Sequence, residues 1–156
     1  MIYLSLKTAH LLSMVILFGT GLGTAWYKWM ADRTGDVNHI AVTNRMVVFA
    51  DWLFTTPAVI VQPLTGALLV HYLHIPWDSD WLLAAYSLYA LAGICWLPVV
   101  WIQIRMRDLS SHAQKQNEPL PDQYWRYARS WFYLGIPAFI AMVLLVILMV
   151  FKPHFN

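Results

Sequence analysis

The last apolar stretch of the chain, Trp131 to Phe151, reads WFYLGIPAFIAMVLLVILMVF and contains no charged residue. A helix needs roughly 20 mostly apolar residues to cross the hydrocarbon layer of a bilayer, which is about 30 Å thick. This stretch therefore predicts a transmembrane helix over 131–151. Three earlier stretches meet the same requirement and predict helices over 2–29, 46–72 and 80–104. We expect an all-α fold, a four-transmembrane-helix bundle that forms a single domain over 1–156.

The composition agrees with a membrane protein. Hydrophobic residues make up 60% of the chain and charged residues 12%, whereas soluble domains are about 25% charged. The single cysteine, Cys95, excludes an intramolecular disulfide and a multi-cysteine metal site. The sequence contains no nucleophile–base pair, nucleotide-binding loop or zinc-ligand spacing, which argues against an ordinary soluble enzyme.

The basic residues predict the orientation, because Lys and Arg are enriched in cytoplasmic loops. Eight of the ten fall in or beside the first and third connections: Lys28, Arg33, Arg45, Arg105, Arg107, Lys115, Arg126 and Arg129. Lys7 and Lys152 remain on the other side. We therefore expect the connection 105–130 to be cytoplasmic and both termini to be non-cytoplasmic. Since these residues lie beside membrane segments, we read them as a topology signal and expect no nucleic-acid partner.

The long third connection contains a turn signal. Residues 117–121 read NEPLP, and its two prolines break a helix and restrict the residues before them. Asp122 is then expected to cap a short helical lead-in to the fourth span.

Helix-perturbing residues occur inside the spans. The prolines Pro57, Pro63, Pro98 and Pro137 each predict a kink and a freed carbonyl that a neighbouring helix satisfies. Gly19 and Gly23 form a GxxxG spacing, which lets another backbone or a flat ligand approach closely.

Polar side chains inside the spans recur at helical spacing. On the second helix Asp51, Thr55, Gln62 and Thr65 share one face. The third helix carries a similar stripe: Tyr86, Tyr89, Gly93, Trp96 and Gln103. Such residues face the bundle interior, where hydrogen bonding between helices accounts for most of them.

Asp51 is the acidic member of this set. A carboxylate near the cytoplasmic end of a span is expected to pair with a cation, and Arg45 or Arg105 lies within reach. A structural ion pair is our prediction, and a proton relay is the alternative.

Histidines supply the candidate ligands. His10 lies about 12 Å into the first helix at about 1.5 Å per residue, and Lys7 shares its face. Three interpretations are open: a hydrogen bond between helices, ligation of haem iron, or copper binding together with Met14. His71 and His74, three residues apart at the outer end of the second helix, are interfacial residues or further ligands, and His154 falls on the same side.

Several motifs resemble a bacterial membrane family. They are KTAH at 7–10, ADWLFTTP at 50–57, QPLTG at 62–66 and CWLPVVWIQIRMRD at 95–108. The chain resembles the predicted integral membrane proteins of the domain-of-unknown-function family twenty-two sixty-nine, over nearly its whole length. The resemblance implies a multi-pass protein of the bacterial cytoplasmic (inner) membrane.

A more distant likeness concerns the KxxHxxS opening and the LTG stretch of the second helix. These look like the haem-binding membrane protoporphyrinogen oxidases and the copper-resistance D-type membrane proteins. By that resemblance His10 is an axial ligand of haem b, and a second ligand is His71, His74, Lys7 or absent. Gly19 and Gly23 would then make room for the macrocycle, while Tyr86, Tyr89 and Trp96 would line it.

Three functions follow as hypotheses. The first is a haem b-binding membrane oxidoreductase, with a quinone as a possible electron partner. The second is copper handling at His10, Met14, His71 and His74. The third is an accessory role, in which the chain stabilises a homo-oligomer or a larger membrane complex.

Overall fold

The computed structural model describes residues 1–152 and contains four long helical rods. The first is α1 (Ile2–Thr34). The second combines α2 (Val37–Ala50), a π-helical segment (Asp51–Thr55) and α3 (Thr56–Tyr72), and the last two are α4 (Asp80–Gln116) and α5 (Asp122–Phe151). Each rod is long and apolar enough to cross a membrane. The predicted all-α, four-transmembrane-helix bundle is confirmed, and His154 lies outside the described residues.

The helices extend well beyond the predicted spans at one end of the bundle. The second rod begins at Val37 instead of residue 46, and α4 continues past residue 104 to Gln116, about 18 Å further at 1.5 Å per residue. Most of the connection 105–130 is therefore helical. Hydropathy marks only the part of a helix that lies in lipid, whereas Arg, Gln, Met and Ala continue a helix readily in water.

The breaks between helices occur at residues with special backbone conformations. Gly35 follows α1 with φ of 68° and Asn117 follows α4 with φ of 54°, both in the left-handed region that ends many helices. The turn predicted over 117–121 is confirmed. Asp122 is the first residue of α5 rather than its cap, because Pro121 occupies the cap position.

The two ends of the bundle differ in their packing. We call the end that contains residues 28–45 and 105–130 the basic end, and the end that contains Met1, residues 73–79 and Lys152 the terminal end. The main apolar core lies at the basic end: Ala31, Ile40, Val99, Ile102, Met106, Tyr124 and Trp131. A smaller cluster lies at the terminal end: Val70, Trp81 and Leu82.

Pro63 shows how a proline is accommodated inside a transmembrane helix. It lies within α3 and has no N–H for the carbonyl of Val59, four residues earlier. The hydroxyl of Tyr89, on α4, donates a hydrogen bond of 2.6 Å to this carbonyl. The expectation that a neighbouring helix satisfies the freed group is thus confirmed at Pro63, and Tyr89 joins α4 to α3.

We predict that Tyr89→Phe costs about 1 kcal/mol of unfolding free energy, the usual scale of a hydrogen bond between helices in a membrane. The cost should shrink in a Pro63→Ala background, since an alanine at this position supplies a backbone N–H to the carbonyl of Val59. Equilibrium unfolding in mixed detergent micelles measures both values. Tyr86→Phe is the matched control, because Tyr86 is exposed; an equal cost in both backgrounds would contradict the assignment.

Candidate functional site

His10 lies in a polar cluster where α1 contacts α3. Its Nδ1 is 2.9 Å from Oγ1 of Thr65, and its Nε2 is 3.2 Å from Nε2 of Gln62. Ser13, one turn further along α1, donates from its hydroxyl to Oε1 of the same Gln62 amide. The structure therefore brings His10 and Gln62, both selected from the sequence, into direct contact.

The hydrogen-bond network assigns the tautomer of His10. The Thr65 hydroxyl donates to the carbonyl of Val61 at 2.7 Å, so its oxygen accepts from His10 and Nδ1 carries the proton. Nε2 then holds the lone pair and accepts from the Gln62 amide N–H. The interpretation of His10 as a hydrogen-bonding residue between helices is confirmed.

Gly66 makes the close approach of the His10 ring possible. A Cβ atom on Gly66 would lie 3.2 Å from Cε1 of His10, which is tighter than ordinary van der Waals contact. In contrast, a Cβ atom on Gly19 or Gly23 would meet nothing within 4 Å. These two glycines follow His10 by about 180° and 220° around the helix, at 3.6 residues per turn. The glycine that serves His10 is therefore Gly66, and Gly19 and Gly23 lie on the opposite side of α1.

The aromatic residues predicted to line a cofactor have contacts of their own on α4. Tyr86 is exposed, and its ring stacks on that of Trp77 with centroids 6.4 Å apart. The Tyr89 hydroxyl donates its hydrogen bond to the carbonyl of Val59, and Trp96 is half-buried. The three aromatic residues therefore lie along α4 in different surroundings.

The remaining predicted ligands lie near the terminal end. Lys7 is exposed, with Nζ 5.8 Å from the centre of the Tyr3 ring. His71 and His74 are exposed as well, and His74 has a left-handed backbone with φ of 52°. Among residues 1–152, no group of three or more His, Cys, Asp or Glu side chains is arranged to hold a metal ion.

Asp51 and Gln103 form a second buried polar contact, between the π-helical segment and α4. Asp51 accepts a hydrogen bond of 2.9 Å from the Thr55 hydroxyl, and Gln103 lies within hydrogen-bonding reach of its carboxyl group. Oδ2 of Asp51 and Oε1 of Gln103 are buried, and neither has a partner within the described residues.

The predicted ion pair of Asp51 is wrong. Arg45 instead donates to Oε1 of Gln114 at 2.9 Å, and the Arg105 guanidinium lies 5.4 Å from the centre of the Trp101 ring. Both cations thus have partners other than the buried carboxyl group. A charge has a lower free-energy cost near the membrane surface than inside the bilayer. A proton on Asp51 would remove the cost of holding a buried carboxylate charge without a counter-ion.

The π-helical segment positions Asp51. The N–H of Thr56 bonds to the carbonyl of Asp51, five residues back, instead of four. Pro57 follows directly and cannot donate to the helix itself. Insertions of this kind are frequent at functional sites, and this one turns the Asp51 carboxyl group into the bundle.

A third polar cluster lies at the basic end and was not predicted. Lys28, which we interpreted only as a topology signal, is 1% exposed. Its Nζ pairs with Oδ2 of Asp32 at 2.6 Å and lies 3.3 Å from the hydroxyl of Tyr124, which itself donates to Asp32 at 2.5 Å. Asn44 bonds both to this hydroxyl and to Ser110, each at 3.0 Å.

Lys28 is also enclosed by aromatic rings. Its Nζ lies 5.4 Å from the centre of the Tyr124 ring and 5.1 Å from that of Trp131. The spacing of four residues between Lys28 and Asp32 was a visible signal for a pair on one helix face. Burial of that pair depends on Tyr124, ninety-six positions further along the chain, and no local pattern indicates it.

Comparison with known proteins identifies the family of the chain. A family model described as a predicted integral membrane protein (DUF2269) matches residues 4–153. The chain belongs to this family. No curated protein and no solved structure matches it.

The DUF2269 match covers the four helical rods except the first two residues of α1, and it includes all three polar clusters. It establishes an integral membrane protein in a lipid bilayer. The description of the family states no activity.

We predict that Lys28→Met costs about 3 kcal/mol of unfolding free energy, because it leaves the largely enclosed Asp32 carboxylate, 15% exposed, without its cation. Arg107→Met is the matched control, since the Arg107–Asp108 pair is partly exposed and should cost less than about 1 kcal/mol. The double variant Lys28→Met/Asp32→Asn should regain much of the loss. Equal costs for the buried and the exposed pair would contradict this account.

We predict that Asp51→Asn is at least as stable as the wild type, because the amide oxygen keeps the acceptor of the Thr55 hydroxyl and adds no charge to the buried site. Asp51→Leu should cost about 1–2 kcal/mol, since it leaves the buried Thr55 hydroxyl without this acceptor. Infrared difference spectra should contain a protonated carboxyl band that Asp51→Asn removes. If Asn costs as much as Leu, the carboxyl group is charged and this interpretation fails.

Proposed function

We propose that this DUF2269 protein is a haem b-binding membrane redox protein in which Nε2 of His10 is an axial ligand. The observation that supports the proposal is the bond from Nδ1 of His10 to Thr65. Histidines that bind metal usually donate their other ring N–H to a fixed acceptor, which sets the tautomer and the ring orientation. His10 has this arrangement, with its lone pair on Nε2.

The donor set therefore fits haem, on one condition. The amide N–H of Gln62 now occupies the lone pair of Nε2 at 3.2 Å, so this side chain would have to turn away. Breaking the hydrogen bond between Gln62 and His10 costs on the order of 1 kcal/mol. The Gln62 Oε1 atom also accepts a hydrogen bond from Ser13, and it keeps this bond only if the amide stays near Ser13. Bound haem would supply one-electron transfer.

Each residue of the cluster then has a distinct task. His10 would hold the iron, Thr65 would orient the imidazole, and Gly66 would give the ring its space. Gln62 would compete with the iron for Nε2. Lys7, His71 and His74 remain candidates for a second ligand, and a quinone remains a candidate electron partner.

We infer that the protein lies in the bacterial cytoplasmic membrane with its basic end inside. Lys and Arg residues support this orientation, since most of them lie at the basic end. Copper handling and an accessory role in a homo-oligomer or a larger complex are the other hypotheses, and the experiment below separates them.

We predict that the purified protein, expressed with added haem precursor, shows a Soret band and sharper visible bands on reduction with dithionite. His10→Ala should lose them. Thr65→Val, which keeps the volume but loses the acceptor, should lower haem affinity about 10-fold or more. Gln62→Ala should keep or raise the affinity, because it removes the competitor for Nε2.

Circular dichroism and unfolding of each variant serve as the control for folding. A featureless spectrum of the wild type would contradict the haem proposal. Stoichiometric copper without a Soret band, lost in His10→Ala, would favour copper handling. Absence of both, with a larger complex on purification, would favour the accessory role.

A further inference from the structure

A groove at the basic end lies between the last turns of α1 and the first turns of α5. Its volume is about 390 Å³, within the roughly 300–1,000 Å³ range of small-ligand sites. Aromatic side chains form most of its wall: Trp29, Trp125, Trp131, Phe132 and Tyr133. A wall rich in Trp and Tyr, where a helix leaves its apolar span, is typical of the headgroup layer of a bilayer.

The groove carries uncompensated positive charge. Arg33 and Arg129 line it from opposite helices and are exposed, and neither forms an ion pair within residues 1–152. The acidic residue of the lining is Asp32, and Lys28 neutralises it at 2.6 Å. The two guanidinium groups therefore determine the sign of the local field, and they fit an anion.

One further contact suits a phosphate ligand. The Arg33 guanidinium lies 4.9 Å from the centre of the Trp29 ring; stacking on an aromatic face leaves the N–H edge free for bidentate binding of phosphate.

We propose that this groove binds the phosphate headgroup of an anionic phospholipid. A lipid fits better than a soluble phosphate because the groove opens onto helix faces that are apolar and exposed. Trp26 and Ile136, about one turn deeper on α1 and α5, are both exposed and would lie along the acyl chains. Basic pockets between transmembrane helices bind anionic headgroups in this way. The proposal does not depend on haem binding.

The test uses the full chain in nanodiscs of phosphatidylcholine with increasing phosphatidylglycerol, followed by native mass spectrometry of retained lipid. We expect the wild type to retain phosphatidylglycerol selectively. Arg33→Gln and Arg129→Gln should each weaken this retention about fivefold, which corresponds to the usual contribution of one basic residue near a membrane surface. The double variant should retain both lipids equally.

Arg105→Gln is the matched control. Arg105 is also exposed and also lies over an indole ring, that of Trp101 at 5.4 Å, but it does not line the groove. It should retain phosphatidylglycerol like the wild type. Equal retention of the two lipids by the wild type, or an equal loss in Arg105→Gln, would overturn the proposal. Displacement of the lipid by millimolar inorganic phosphate would show that a soluble anion is the ligand instead.

Discussion

The buried ammonium group of Lys28 is the constraint on which the basic end depends. A charge with 1% exposure is tolerable only if partners surround it. Asp32 supplies the opposite charge from the same helix, and Tyr124 links that carboxylate to α5. Asn44 then continues the network from α2 to Ser110 of α4. A single charge thus fixes the relative positions of four helices, and the main apolar core packs around it.

Toward the terminal end the helices are joined by separate polar contacts instead of one network. His10 joins α1 to α3 through Thr65 and Gln62, and Tyr89 joins α4 to α3 at the carbonyl that Pro63 frees. In lipid the hydrophobic effect does not drive helices together, so close packing and such hydrogen bonds decide their arrangement. The same histidine can therefore hold two helices together and, if Gln62 moves, offer a nitrogen to a metal.

The sequence predicted what the bilayer dictates and missed what tertiary contacts dictate. The four spans were evident because lipid demands long apolar segments. The helix ends at Val37 and Gln116 could not be read from the apolar segments, since helix propensity in water is independent of hydropathy. The predicted ion pair between Asp51 and Arg45 was wrong. The two residues are close along the chain, but the Arg45 side chain extends to Gln114 instead. A hydrogen bond between helices was one of three interpretations of His10, and its partners, Thr65 and Gln62, could be named only from the fold.

The Lys28 network and the groove share more than a location. Trp131 lines the groove, and its ring also lies against the Lys28 ammonium group at 5.1 Å. Asp32 lines the same groove, but Lys28 neutralises its charge inside the bundle. If Lys28 were absent, Asp32 would bring a free negative charge beside Arg33 and Arg129, and the groove would repel an anion in part. The interaction that fixes the four helices at the basic end therefore also sets the charge that this end presents to the membrane surface.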